Sequence, residues 1–226
     1  MRGIKNRMVE RTGKSIKSEL GFNHHFSSAT EKGNELVTLL LLHGTGGNEQ
    51  DLIPLGQELY PSAAILSPRG KVLEGGMPRF FRRLAEGVFD IEDLKFRTHE
   101  LADFVEKASI VYDFNLKNVI AVGYSNGANI ASSLLLLRPE VLSSAVLFRA
   151  MIPLTPEKIP NLETKNIFMA AGERDPIVPR EQTEMLYRLF KKGRANVSLR
   201  WQKNYGHQLS YDEISAAREW LSQLPL

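Results

Sequence analysis

A chain of 226 residues that is 42% hydrophobic and 24% charged is long enough for one well-buried domain and short for two. Its formal net charge is +3, but residues 1–19 hold six Lys and Arg against two Glu, so they carry +4 and leave −1 for the rest. A basic tail without an aromatic reads as a solvated arm, the nearly neutral remainder argues against a nucleic-acid-binding globule, and the absence of Cys excludes disulfides, thiolate metal sites and a Cys nucleophile together.

Residues 1–19 are therefore expected to form a poorly ordered tail and residues 20–226 a single domain. No apolar stretch follows the basic residues, and nowhere do about 18 apolar residues run together. A soluble, cytoplasmic protein without stable membrane insertion is the expectation.

In chain order, the first apolar run spans residues 36–42 and leads into His43-Gly44-Thr45-Gly46-Gly47. Pro54 is tolerated only in a first turn, so a helix is predicted from about Leu52 to Tyr60. A second apolar run at 63–66 is followed by residues 70–96, a stretch longer than ordinary connections. It contains Arg79, Phe80, Phe81, Arg82 and Arg83. Two readings stay open: a loop over the substrate whose Arg79, Phe80, Arg82 and Arg83 bind an acyl or anionic group, or a short helix with core phenylalanines and solvated arginines.

Leu101, Phe104, Val105, Ala108, Val111 and Tyr112 follow helical spacing and predict an amphipathic helix over 98–113. Further apolar runs lie at 119–122, 145–148 and 167–171, with a more polar one at 196–201. Their continuity suggests strands buried on both faces of a parallel sheet. A helix over 182–192 closed by Gly193, and a last helix opened by a Ser210/Glu213 capping box, complete the alternation. The pattern is α/β: a doubly wound, mostly parallel sheet with helices on both faces.

The segment that carries chemistry is Gly123-Tyr124-Ser125-Asn126-Gly127, placed between a strand pattern and a small-residue helix ended by Pro139. This is a nucleophile elbow, a turn so tight that glycines are needed beside the serine, with helix amides aimed at the same spot. A serine hydroxyl needs a base within reach and an acid to orient that base. His207, in Tyr205-Gly206-His207-Gln208 between the last strand and the last helix, fits the chain order Ser, Asp, His. Asp175, in a loop stiffened by Pro176 and Pro179, is the acid, with Glu173 its competitor. The glycine-rich loop after residue 42 lacks the Lys-Ser/Thr of a nucleotide P-loop. It is read instead as half of an oxyanion hole, with the Thr45 and Asn126 amides as donors.

With Leu39-Leu40-Leu41-Leu42-His43-Gly44-Thr45-Gly46-Gly47-Asn48, the insert Gly76-Met77-Pro78-Arg79-Phe80-Phe81-Arg82-Arg83, Gly123-Tyr124-Ser125-Asn126-Gly127-Ala128-Asn129, Gly172-x-x-Asp175-Pro176 and Gly206-His207-Gln208 in place, the chain resembles a bacterial α/β-hydrolase. More narrowly, it is similar to the phospholipase/carboxylesterase family, in the branch of small serine hydrolases found with quinone-resistance dioxygenases. The resemblance spans residues 21–222. It implies a Ser125, Asp175, His207 triad, oxyanion donors at Thr45 and Asn126, no cofactor and no metal, and in many members a homodimer. It also implies a small-molecule ester substrate with a short acyl or aromatic group, a thioesterase or lysophospholipase being the alternative on the same residues. No nucleic-acid partner is expected.

Overall fold

The computed structural model describes residues 20–30 and 36–225, so the expected basic tail at 1–19 lies outside the described residues. The elements in chain order are β1 His24–Ser27, β2 Thr38–Leu42, α1 Ile53–Leu59, β3 Ala64–Pro68, β4 Val72–Glu74, β5 Met77–Arg79, β6 Arg83–Ala85 and β7 Val88–Phe89. There follow α2 Ile91–Tyr112, β8 Val119–Tyr124, α3 Asn126–Leu137, β9 Ser144–Phe148, β10 Asn166–Gly172, α4 Arg180–Lys192, β11 Asn196–Gln202 and α5 Tyr211–Ser222.

Seven strands form one sheet in the order β1-β3-β2-β8-β9-β10-β11. All pairs are parallel except β1 with β3. The apolar runs become strands because each can bury both faces. In β2, Leu40 and Leu42 pack with α2, α3 and α4 on one side, whereas Leu39 and Leu41 pack with α1 and α5 on the other. Ser210 accepts from the Glu213 amide and Glu213 reaches back to the Ser210 amide, the expected capping box. Among the described residues, no helix is long and apolar enough to cross a membrane.

Four expectations change. β1 is an additional antiparallel edge strand, short and polar enough to leave little hydrophobic signal. α2 begins at Ile91 rather than residue 98, because Asp90 caps it by accepting from the Asp93 amide; its charged first turns conceal the apolar stripe. At the end of α4 the left-handed residue is Arg194, with φ 70°, not Gly193. Residues 91–96 of the insert belong to α2, and the rest is neither a loose loop nor a helix. It folds into two antiparallel hairpins, β4-β5 and β6-β7, turned in the first case by Gly75 and Gly76 at positive φ.

Candidate active site

Parallel strands end at one edge of the sheet, and that edge is where ligands meet α/β folds. Thr45 follows β2, Ser125 follows β8, Asp175 follows β10 and His207 follows β11. Four distant segments are thus delivered to one place by the topology itself.

Ser125 sits between β8 and α3 with φ 53° and ψ −115°, a conformation that L-residues adopt only where the surroundings enforce it. The enforcement is visible at its neighbours. A Cβ at Gly127 would lie 1.9 Å from the Leu42 carbonyl oxygen, and one at Gly123 would lie 2.6 Å from the Ala128 Cα. Only glycine lets helix and strand approach this closely.

The Ser125 Oγ lies 2.8 Å from His207 Nε2, and His207 Nδ1 lies 2.8 Å from Asp175 Oδ2. With the carboxylate accepting at Nδ1, that nitrogen carries the proton and Nε2 accepts from the serine hydroxyl. Asp175 is held in turn: its Oδ1 accepts from the Ile177 and Val178 amides at 2.8 and 3.0 Å. Burial alone would raise the Asp175 pKa. Hydrogen bonds from His207, Ile177 and Val178 outweigh it and hold the carboxyl below the ordinary carboxylate range. The competitor Glu173 makes no hydrogen bond to His207; its amide donates to the Gln202 carbonyl and its side chain is exposed.

The Thr45 and Asn126 amides have no acceptor among the described residues. The Thr45 loop is braced from behind. His43, which burial keeps below its usual pKa, donates from Nδ1 to the Gly44 carbonyl at 2.6 Å and accepts at Nε2 from the Gly70 amide at 3.0 Å. Both ring nitrogens are therefore committed to architecture. The insert completes the brace: Gly46 N–H donates to the Pro78 carbonyl, Arg79 Nη1 to Thr45 Oγ1 and Phe80 N–H to Asn126 Oδ1.

A cavity of about 330 Å³ opens at Ser125 and His207. Of the four insert residues expected to bind substrate, Arg79 and Arg83 line it. Phe80 does not: it is 2% exposed and tilted against the His43 ring, so it belongs to the core beneath the loop. Arg82 does not either, because its side chain points to solvent and pairs with Asp90. Among the described residues no group of three or more His, Asp or Glu side chains is placed to hold a metal ion.

One residue at this site escaped sequence reasoning. Arg149 follows β9 with φ 58° and is wholly buried. All five of its N–H groups are spent. Nε donates to the Gly206 carbonyl, Nη1 to Ala170 O and Glu213 Oε2, and Nη2 to Gln208 O and Glu213 Oε1. It therefore grips the backbone on both sides of His207, and its Nε is 4.0 Å from Asp175 Oδ2. The available signal was a lone arginine directly after the apolar run at 145–148.

The sequence matches the model of the Phospholipase/Carboxylesterase family over residues 23–224. It is 50% identical over 193 residues to the Bacillus subtilis (strain 168) hydrolase MhqD, covering 85% of this chain and 96% of that one. The crystal structure of a Bacillus cereus carboxylesterase superposes with a TM-score of 0.89 at 47% identity, covering 92% of this chain and 97% of that one. A structure of YahD with malic acid gives 0.83 at 31% identity, covering 89% and 98%.

Proposed function

Because the chain belongs to the phospholipase/carboxylesterase family of serine hydrolases, we propose that it is a cytoplasmic carboxylesterase that hydrolyses short acyl or aromatic esters through an acyl-enzyme. Ser125 attacks the ester carbonyl while His207 Nε2 takes its proton. Asp175 orients the imidazole and stabilises the imidazolium, and the Thr45 and Asn126 amides receive the developing oxyanion. His207 then protonates the departing alcohol. Water, deprotonated by the same imidazole, attacks the acyl carbonyl and restores the serine.

The observation that carries this reading is the relay of two 2.8 Å contacts from hydroxyl to imidazole to carboxylate, in a cavity that is also lined by Thr45 and Asn126, whose amides are uncommitted. The cavity of about 330 Å³ supports a compact substrate over a long lipid chain, being at the small end of ligand sites. The relative solved with malic acid supports a small polar ligand in the same way. A thioester would use the same groups and is separated by comparing kcat/KM for matched oxygen and sulfur esters.

The test is hydrolysis of nitrophenyl acetate, butyrate and octanoate by wild type and Ser125→Ala. Wild type is expected to favour the shorter acyl groups, and Ser125→Ala to lose about 10⁴-fold or more in kcat. Retention of a tenth of wild-type activity by folded Ser125→Ala would refute the assignment.

A further inference from the structure

The insert brings three arginines to the neighbourhood of Ser125, and their surroundings separate them. Arg82 is outside the cavity and paired with Asp90. Arg83 lines the cavity, but its Nε lies 2.8 and 3.1 Å from the two Glu74 oxygens and its Nη2 lies 2.7 Å from one of them. Its charge is largely met.

Arg79 is different. It is 3% exposed and lines the same cavity as Ser125. Nε donates to the Phe81 carbonyl at 3.2 Å and Nη1 to Thr45 Oγ1 at 2.6 Å, both neutral acceptors. Its one carboxylate contact is the more distant Glu74 oxygen, 3.3 Å from Nε and shared with Arg83. Nη2 has no hydrogen-bond partner among the described residues and is not fully enclosed, so it borders open space.

Taking a guanidinium out of water is costly unless an anion compensates. Here burial and the neighbouring Arg83 act against the charged form more strongly than Glu74 supports it. Asn126 also lines the cavity but adds no side-chain donor to it, because its Nδ2 is enclosed without an acceptor and its Oδ1 is occupied by the Phe80 amide. Glu86 is the acidic side chain on the lining, and it is exposed at the rim.

We infer that Arg79 recognises a carboxylate carried by the substrate, making the preferred esters half-esters of short dicarboxylic acids or close analogues with the charge near the scissile carbonyl. This rests on the triad reading above. The hydrogen bond from Arg79 to the Thr45 side chain fixes the guanidinium beside the loop that offers the oxyanion amide, which is why the charge belongs close to the reacting carbon. The planar fork suits two carboxylate oxygens, whereas a neutral acyl group would leave Nη2 desolvated and unpaired.

The experiment compares monoethyl glutarate with ethyl hexanoate, which are similar in length and differ in charge, at one ionic strength. In wild type, kcat/KM for the charged ester is expected to exceed that for the neutral one. In Arg79→Met the charged-to-neutral ratio should fall about tenfold or more. Arg79→Lys, which keeps the charge without the fork, should fall part of the way. Glutarate should also inhibit wild type at lower concentration than butanoate.

A merely structural arginine would depress both esters together and leave the ratio where it was. An unmoved ratio in Arg79→Met, or glutarate no better than butanoate as an inhibitor, overturns the inference. If Arg79→Met does not fold, the Arg79→Lys ratio and inhibition of wild type decide the matter. Ser125→Ala keeps the two readings apart. Survival of both hydrolyses in that variant refutes the triad assignment, whereas loss of both with an unmoved Arg79 ratio refutes carboxylate recognition alone.

Discussion

The C-terminal edge of the sheet and the hairpin insert each bury an arginine beside the same serine, and they treat its charge in opposite ways. Arg149 meets Glu213 through two 2.8 Å contacts and gives every remaining N–H to a backbone carbonyl. Arg79 has one shared carboxylate contact and an unspent nitrogen at the cavity. The first arrangement leaves nothing for a ligand to gain and acts as a strut for the His207 loop. The second leaves a desolvated cation whose missing partner is most readily supplied by what enters the cavity.

The contrast is most sharply tested at Arg149. Arg149→Met strands the Glu213 carboxylate in the interior and is expected to cost about 3–5 kcal/mol in urea unfolding. The double variant Arg149→Met/Glu213→Leu should recover most of that stability, since an apolar pair can replace a buried ion pair at little cost. Its kcat should stay low, because the Gly206 and Gln208 carbonyls have lost the donor that sets His207. Full recovery of kcat with stability would reduce Arg149 to a core element without a positioning role.

Arg79→Met should be milder in unfolding, about 1–3 kcal/mol for the lost hydrogen bonds, with its main effect on charge preference. A loss as large as that of Arg149→Met would dissolve the distinction between the two arginines.

Acid separates the regions further. Because the folded pKa of Asp175 lies below its ordinary value, its contribution to stability is complete above the unfolded pKa, about 3.9. That contribution is lost only as pH falls through the lower folded value. Stability of wild type should therefore be flat with respect to this group down to about pH 4 and decline below it. Asp175→Asn should remove part of that decline in pH-dependent melting. The smallest effect belongs to Arg82→Ala, whose exposed pair with Asp90 is worth about 0.5 kcal/mol or less; neither melting temperature nor ester preference should move appreciably.

What the sequence disclosed follows from how local each feature is. Ser125 was legible because the steric demand for Gly123 and Gly127 is written within five residues. His207 and Asp175 were legible because each lies in a loop whose place in the strand-helix alternation is fixed. Arg149 was not, since its meaning depends on Ala170, Gly206, Gln208 and Glu213, partners between 21 and 64 residues away. The insert is less legible: Gly75-Gly76 between short segments is a hairpin signal, but the neighbouring Arg-Phe-Phe-Arg-Arg run has no alternation of apolar and polar residues to mark strands. Phe80 illustrates the resulting error, because its burial depends on His43, a contact that no local pattern encodes.

The bracing of the Thr45 loop by β5 bears on how this scaffold can be re-engineered. Pro78, Arg79 and Phe80 touch Gly46, Thr45 and Asn126 through one backbone stretch, so the segment that shapes the pocket is also mechanically joined to the residues whose amides are the proposed oxyanion donors. A hairpin transplanted from a homologue to install new selectivity would import a foreign geometry behind both amides. Successful chimeras should be those in which the donor's hairpin arrives together with its own glycine-rich loop, as one exchangeable module.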